Sequence, residues 1–388
     1  MINRSVETLF LIIVITLLKP FNCDAIEFKG VNYTGWSTNA YSTPDSNLSL
    51  ARAKDAGCQW ISVNVFWFQD TVTSTVIEPN YRLYSVSPGS VKVAVDRCHQ
   101  LGLKVMLKPN VDLAHPLAGQ WRGNILPSDA WFEGYNNFIS YWADFAEANN
   151  VEMLCIGCEL NGTISWADSW RDVANNVRTH FSRPIVYAAD HDYEQSVSWW
   201  DALDYIGIDA YYSLTDSNDS NLAQLTAAWV SRANSIGSWR NANWPNKNVI
   251  FTEVGYGSYD GSNRHPWHSP STEPLDINEQ TDCYNALLSV CTTRNWWAGV
   301  FWWSWKTDPN AGGPADINTT PQNKPAQQVL TDYYTTITGD LDDDKDVDLN
   351  DLTLFCDHWP DQNIVGWPDF NNDHGVNFTD FALLGANW

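Results

Sequence analysis

Short apolar runs and amphipathic stretches alternate along most of the chain. The runs are Phe28–Tyr33, Trp60–Phe66, Lys104–Pro109, Met153–Glu159, Pro184–Ala189, Tyr205–Tyr211, Val249–Glu253 and Gly299–Trp305. Near-continuous apolarity over so short a span reads as a strand buried on both faces. Between the runs, apolar positions recur at helical spacing over Leu48–Gly57, Val91–Gly102, Ala130–Asn149, Trp166–Phe181 and Leu222–Ile236. Gly57, Gly102 and Gly237 read as helix stops. Eight buried strands alternating with helices over residues 26–338 predict an α/β fold, a (β/α)8 TIM barrel. An open doubly wound sheet fits less well, because no glycine-rich phosphate loop follows the first strand.

Two segments break the alternation. In residues 1–25, Arg4 precedes the apolar run Leu9–Leu18, and Cys23-Asp24-Ala25 resembles a small-residue cleavage site. That pattern predicts a signal peptide, a mature chain starting near Ile26, and secretion. From Gly339 the composition shifts: residues 339–388 hold twelve Asp, one Lys, and no Glu or Arg.

Composition narrows the function. The net charge of −24 argues against nucleic acid as a partner. Trp is abundant, at 22 of 388 residues. Its flat apolar face suits the C–H face of a sugar ring, although many of these indoles must fill the core. Glu is scarce, 11 against 35 Asp, so few positions can supply a catalytic glutamate. The Cys residues are spread too thinly for a disulfide framework. Cys155-x-x-Cys158 lies in an apolar run and reads as buried thiols. A monomer is expected.

The acidic tail carries two similar segments 29 residues apart. One offers Asp340, Asp342, Asp344, Asp348 and Asp351; the other offers Asp369, Asn371, Asp373, Asn377 and Asp380. Oxygen ligands at loop positions 1, 3, 5, 9 and 12 suit calcium. Val347 and Val376, at position 8, are expected to pair the loops. Each segment leads into an apolar helix, Leu352–Trp359 or Phe381–Trp388. The combination resembles a type I dockerin domain, which implies a small all-α calcium-binding unit over 339–388 and a cohesin partner or cell-surface scaffold. Lys345 and His374 stand where such loops favour glycine.

Barrel enzymes keep their working residues at the C-terminal ends of the strands. Those ends read Trp36, Trp67, Asn110, Glu159, His191, Tyr211, Glu253 and Trp303–Trp305. Only the fourth and seventh carry Glu. Two carboxylates across a barrel mouth meet the needs of glycosidic bond cleavage: one protonated to donate to the leaving oxygen, one ionised to attack the anomeric carbon. Tyr211 is placed to hydrogen-bond Glu253. Trp303 and Trp305 share a strand face by alternation, and one of them is expected to floor the sugar site. Trp36, Trp67, Trp121 and Trp267 are candidate stacking platforms. Lys108, Asn110, Arg122, Asp209 and His191 are polar candidates for sugar contacts.

Several segments resemble glycoside hydrolase family 113, within clan A. They are Lys29–Trp36, Val105–Pro109, Ile156–Leu160, Trp200–Tyr211, Phe251–Tyr256 and Pro266-Trp267. The resemblance implies retaining hydrolysis of β-1,4-mannan without a cofactor, with Glu159 as acid/base and Glu253 as nucleophile. Cys158 and Asn64 depart from the Asn and Arg common elsewhere in the clan. The same chemistry on another β-glycan, or a non-catalytic carbohydrate-binding barrel, are the alternatives.

Overall fold

The computed structural model describes residues 26–270, 272–336, 339–342, 346–361, 368–370, 375–385 and 388. Residues 1–25, read as a signal peptide, lie outside the described residues, as do Asp344, Lys345, Asn371, Asp373 and His374. The chain divides into two compact units, one spanning Phe28–Tyr334 and a smaller one that takes in the chain from Thr335.

The larger unit is a closed barrel of eight parallel strands, paired in sequence order with β8 returning to β1. The strands are β1 (Phe28–Thr34), β2 (Trp60–Gln69), β3 (Lys104–Leu113), β4 (Met153–Cys158), β5 (Ile185–Asp190), β6 (Tyr205–Asp209), β7 (Val249–Val254) and β8 (Trp297–Lys306). Around them run α1 (Pro44–Asp55), α2 (Pro88–Gln100), α3 (Asp129–Ala148), α4 (Ala167–His180), α5 (Leu222–Asn243), α6 (Ile277–Cys291) and α7 (Pro325–Thr335). Between β5 and β6 two 3₁₀ turns, Glu194–Ser196 and Trp200–Ala202, stand where a helix is expected. Among the described residues, no helix is long and apolar enough to cross a membrane.

The strand pattern is legible because both strand faces are buried. Inside the barrel, Phe28, Trp60, Met106, Met153, Val186, Ile250 and Phe301 form one apolar cluster with Cys155 and Cys158. Both cysteines are free thiols, as expected, and burial pushes Cys155 up to about 11.

One helix boundary is corrected. Gly237 does not stop α5, which continues to Asn243. A Cβ there would sit 2.7 Å from the Trp296 indole nitrogen, so glycine serves close helix packing rather than termination.

The smaller unit has α8 (Leu349–Asp357) and α9 (Phe378–Gly385) around a core of Val347, Leu352, Phe355, Val376, Phe381 and Leu384. Its two halves share one device. Asp351 accepts the backbone N–H groups of Leu341 and Asp348, and Asp380 accepts those of Phe370 and Asn377. Each position-12 carboxylate thereby ties its loop to the following helix.

Candidate active site

Above the apolar layer, the barrel interior becomes polar. Asn64 donates to Asn32 at 3.0 Å, Asn110 donates to Asn64 at 3.3 Å, and Arg122 reaches Asn110 at 3.4 Å. Asn32, Asn64 and Asn110 are fully buried, so this chain of amides fixes their rotamers from the core up to Arg122.

A second buried cluster lies beneath Glu253. Lys108 Nζ sits 2.5 Å from Glu253 Oε1 and 3.3 Å from Asp209 Oδ1. Burial works against the ammonium, but Asp209 and Glu253 outweigh it and hold Lys108 above its ordinary range. Asp209 accepts from Thr252 Oγ1 at 2.7 Å and from the Cys158 thiol at 3.3 Å. Burial, then the charge of Glu253, raises the Asp209 carboxyl against the pull of Lys108. Tyr211, kept a neutral phenol by burial, donates to Glu253 Oε2 at 2.8 Å. Glu253 thus receives one donor on each oxygen, one of them cationic. That arrangement suits a carboxylate anion.

Glu159 sits in a different environment. β4 ends at Cys158, and Glu159 adopts φ +54°, a left-handed conformation uncommon for a residue with a side chain. Its N–H still donates to Ala188 O at 2.9 Å. A backbone of this kind costs about 1–3 kcal/mol and persists where surrounding structure dictates it, often at functional sites. Burial holds the Glu159 carboxyl well above the usual carboxylate range. Asp209, Glu253 and Asp190 push the same way, and Arg122, 3.8 Å away, opposes them. A second partner at 3.3 Å, Asp112, divides the charge of Arg122.

Both glutamates line one cleft of about 630 Å³. Trp36, Trp121, Arg122, Tyr211, Trp267 and Trp303 line it too, with Asp190, His191 and Lys306. Trp36, Trp121 and Trp267 are exposed there, and Trp267 stacks on His191 with ring centroids 5.2 Å apart.

Five expected sugar contacts are placed elsewhere. Trp67 faces out of the barrel against Phe138, Tyr141 and Trp142 of α3. Period-two alternation from Asn64 directs Phe66 inward instead, where it stacks on Trp36 at 5.3 Å. Trp305 is buried, with its indole N–H on Ser49 of α1. The register between β1 and β8 skips Ser304, and this irregularity breaks the alternation that put Trp303 and Trp305 on one face. Lys108, Asn110 and Asp209 are fully buried below the cleft and hold other side chains.

The sequence reading overlooks Asp112 and Asp190. β3 runs to Leu113, beyond the expected end at Pro109, so Asp112 continues the inward series of Lys108 and Asn110. Asp190 closes β5 beside His191 and accepts from Asn161 at 2.7 Å.

A (β/α)8 barrel with a partly buried glutamate whose carboxyl is raised and a cation-paired glutamate in one aromatic cleft is the architecture of a glycoside hydrolase. The chain belongs to glycoside hydrolase family 113, whose family description matches residues 32–320. It is similar to two solved structures of a GH113 β-1,4-mannanase, one of them a complex. Both are 27% identical over 80% of this chain and 99% of the other, with TM-scores of 0.71 and 0.70. It is also similar to the GH113 β-mannanase AaManA from Alicyclobacillus acidocaldarius, solved in complex with ManMIm. That protein is 25% identical over 80% of this chain and 98% of the other, with a TM-score of 0.70. No curated protein sequence matches the chain.

Proposed function

We propose that this chain is an endo-β-1,4-mannanase that retains anomeric configuration, working through Glu159 and Glu253. The observation that carries the reading is the contrast between two glutamates sharing one cleft. Glu159 is partly desolvated and faces like charges that outweigh Arg122, which raises its carboxyl in the direction a proton donor needs. Glu253 takes a hydrogen bond from Tyr211 and an ion pair from Lys108, which hold both of its oxygens in place for attack.

In the first step a Glu253 oxygen attacks the anomeric carbon while Glu159 gives its proton to the departing glycosidic oxygen. A glycosyl ester on Glu253 results. Glu159, now a carboxylate, takes a proton from water, whose oxygen attacks the same carbon and frees Glu253. Trp303 and Tyr211 border the reacting sugar, and Trp36, Trp121 and Trp267 serve as platforms for neighbouring units. Exposed platforms contributed by several barrel loops suit a chain that crosses the cleft, and so endo action. No cofactor enters these steps.

The smaller unit is read as a dockerin-like, calcium-binding appendage of a secreted enzyme. Two observations support this. Carboxylate oxygens of Asp340, Asp342 and Asp351 lie within 4.8 Å of one another, as do those of Asp346, Asp348 and Asp351. Asp351 and Asp380 make matching contacts in the two halves. Asp340, Asp342, Asp348 and Asp351 would hold one ion and Asp369, Asn377 and Asp380 another, with a cohesin module as partner.

The test is product analysis by chromatography. The chain from Ile26 to Trp388 is incubated with mannan, glucomannan, xylan and cellulose oligomers, with Glu159→Ala alongside. Short oligomers from mannan, absent in the variant, are expected. Cleavage of xylan or cellulose alone would move the assignment to another β-glycan. Binding without turnover would favour a carbohydrate-binding barrel.

A further inference from the structure

The cleft holds a cation that neither the fold nor the reaction just described employs. Lys306 closes β8 and lines the cleft with Trp36, Trp303, Asn318 and Thr319. It is partly buried, and among the described residues its ammonium forms no ion pair. The acid nearest in influence is Asp316, which is already engaged. Lys324 Nζ binds Asp316 Oδ1 at 3.1 Å and also donates to Asn318 O at 2.6 Å. This wall therefore carries two lysines for one aspartate.

A lysine without a task would extend its flexible stem into water and keep its charge hydrated. Lys306 gives up part of that hydration without an ionic partner, which costs free energy. Burial pushes its ammonium below the ordinary lysine range, and Asp316 only partly offsets this. The strand register sets Lys306 opposite Thr34, two residues before the exposed indole of Trp36. A flat apolar face and an uncompensated positive charge thus border the same end of the cleft. Asn318 and Thr319, both uncharged, line the cleft beside them.

We propose that the β1/β8 end of the cleft is a subsite for an anionic group carried by the glycan, with the sugar face on Trp36 and the anion on Lys306. The anion is a uronate carboxylate or a sulfate ester. A chain of net charge −24 repels such a substrate at long range, so a local cation is needed to admit it. The carboxylates of Glu159, Glu253 and Asp190 occupy the same cleft, which restricts the anion to the Lys306 wall. The proposal rests on the glycoside hydrolase reading of this cleft.

The experiment uses the full chain and three sets of mannan oligomers: neutral, sulfated and glucuronate-substituted. The readout is the ratio of kcat/KM on each anionic set to that on the neutral set. The ratio in Lys306→Met is expected to fall roughly tenfold, the worth of one charge-assisted hydrogen bond, and Lys306→Arg should keep it. A fall with only one anionic set identifies the anion. Equal losses on neutral and anionic sets would overturn the proposal, because Lys306 would then serve the shared sugar or the fold. So would failure of the wild type to cleave either anionic set while it cleaves the neutral one. Calorimetric binding to Glu159→Gln separates the two readings. An anion preference that disappears in Glu159→Gln/Lys306→Met supports the subsite even if no oligomer is hydrolysed. Absence of any preference removes the subsite and leaves the mannanase reading standing.

Discussion

Replacing Asp209 with Asn tests the electrostatic part of the mechanism while leaving the cleft wall intact. Asp209 is fully buried below the cleft, and Asn keeps its size and an oxygen to accept from Thr252. A carboxylate oxygen of Asp209 lies within 4.8 Å of one of Glu159. At an effective dielectric of about 20, two unit charges at that separation repel by roughly 3.5 kcal/mol. That equals about 2.5 pH units at about 1.4 kcal/mol per unit. Lys108, 3.3 Å from Asp209, cancels part of it, so a shift of about one to two units remains. The sign follows from the role of Glu159. As the acid, it must be protonated, so activity falls as pH rises through its pKa. The Asp209 charge helps Glu159 keep its proton, and removing that charge releases the proton at lower pH. The assay is kcat/KM against pH on mannan oligomers. The alkaline limb of Asp209→Asn should move down by about one to two units, with little change in KM. An unmoved limb, or one displaced upward, would refute the reasoning.

Other changes should separate positioning from binding. Lys108→Met leaves two buried carboxylates without their cation and should destabilise the barrel by about 3–5 kcal/mol. The variant should also lose kcat by roughly a hundredfold or more, read by denaturant unfolding and steady-state kinetics. Trp267→Ala should raise KM for longer oligomers roughly tenfold, the worth of one stacked ring, with the melting temperature unchanged. Trp67→Ala should do the reverse, lowering the melting temperature with KM intact. Chelator should lower the unfolding temperature of the smaller unit and leave mannan turnover in place, as calorimetry and kinetics on one sample would show.

Much of the barrel was legible because strands buried on both faces must be apolar throughout, and that signal does not depend on register. The two glutamates stood out for the same reason, as charges closing otherwise apolar runs. What failed depended on local geometry. Trp67 and Phe66 differ by one position, and only their orientation decides which meets the cleft. Trp303 and Trp305 were separated by a skipped residue that alternation cannot foresee. Lys108 and Asp209 read from the sequence as polar residues near the site. Depth along the barrel axis, which makes them supports beneath Glu253 rather than sugar contacts, is set by the stagger between strands. Gly237 shows the same limit in a helix, since its reason, the indole of Trp296, lies 59 residues away in sequence.

The central claim is that Glu253 forms a covalent bond to the sugar. A 2-deoxy-2-fluoro mannoside with a good leaving group should form the ester quickly and hydrolyse it slowly. Mass spectrometry of the intact chain and of its peptides then reads the outcome. The account predicts one added sugar, carried on the peptide that contains Glu253, and none in Glu253→Ala. A labelled Glu159, or turnover that continues in Glu253→Ala, would contradict it.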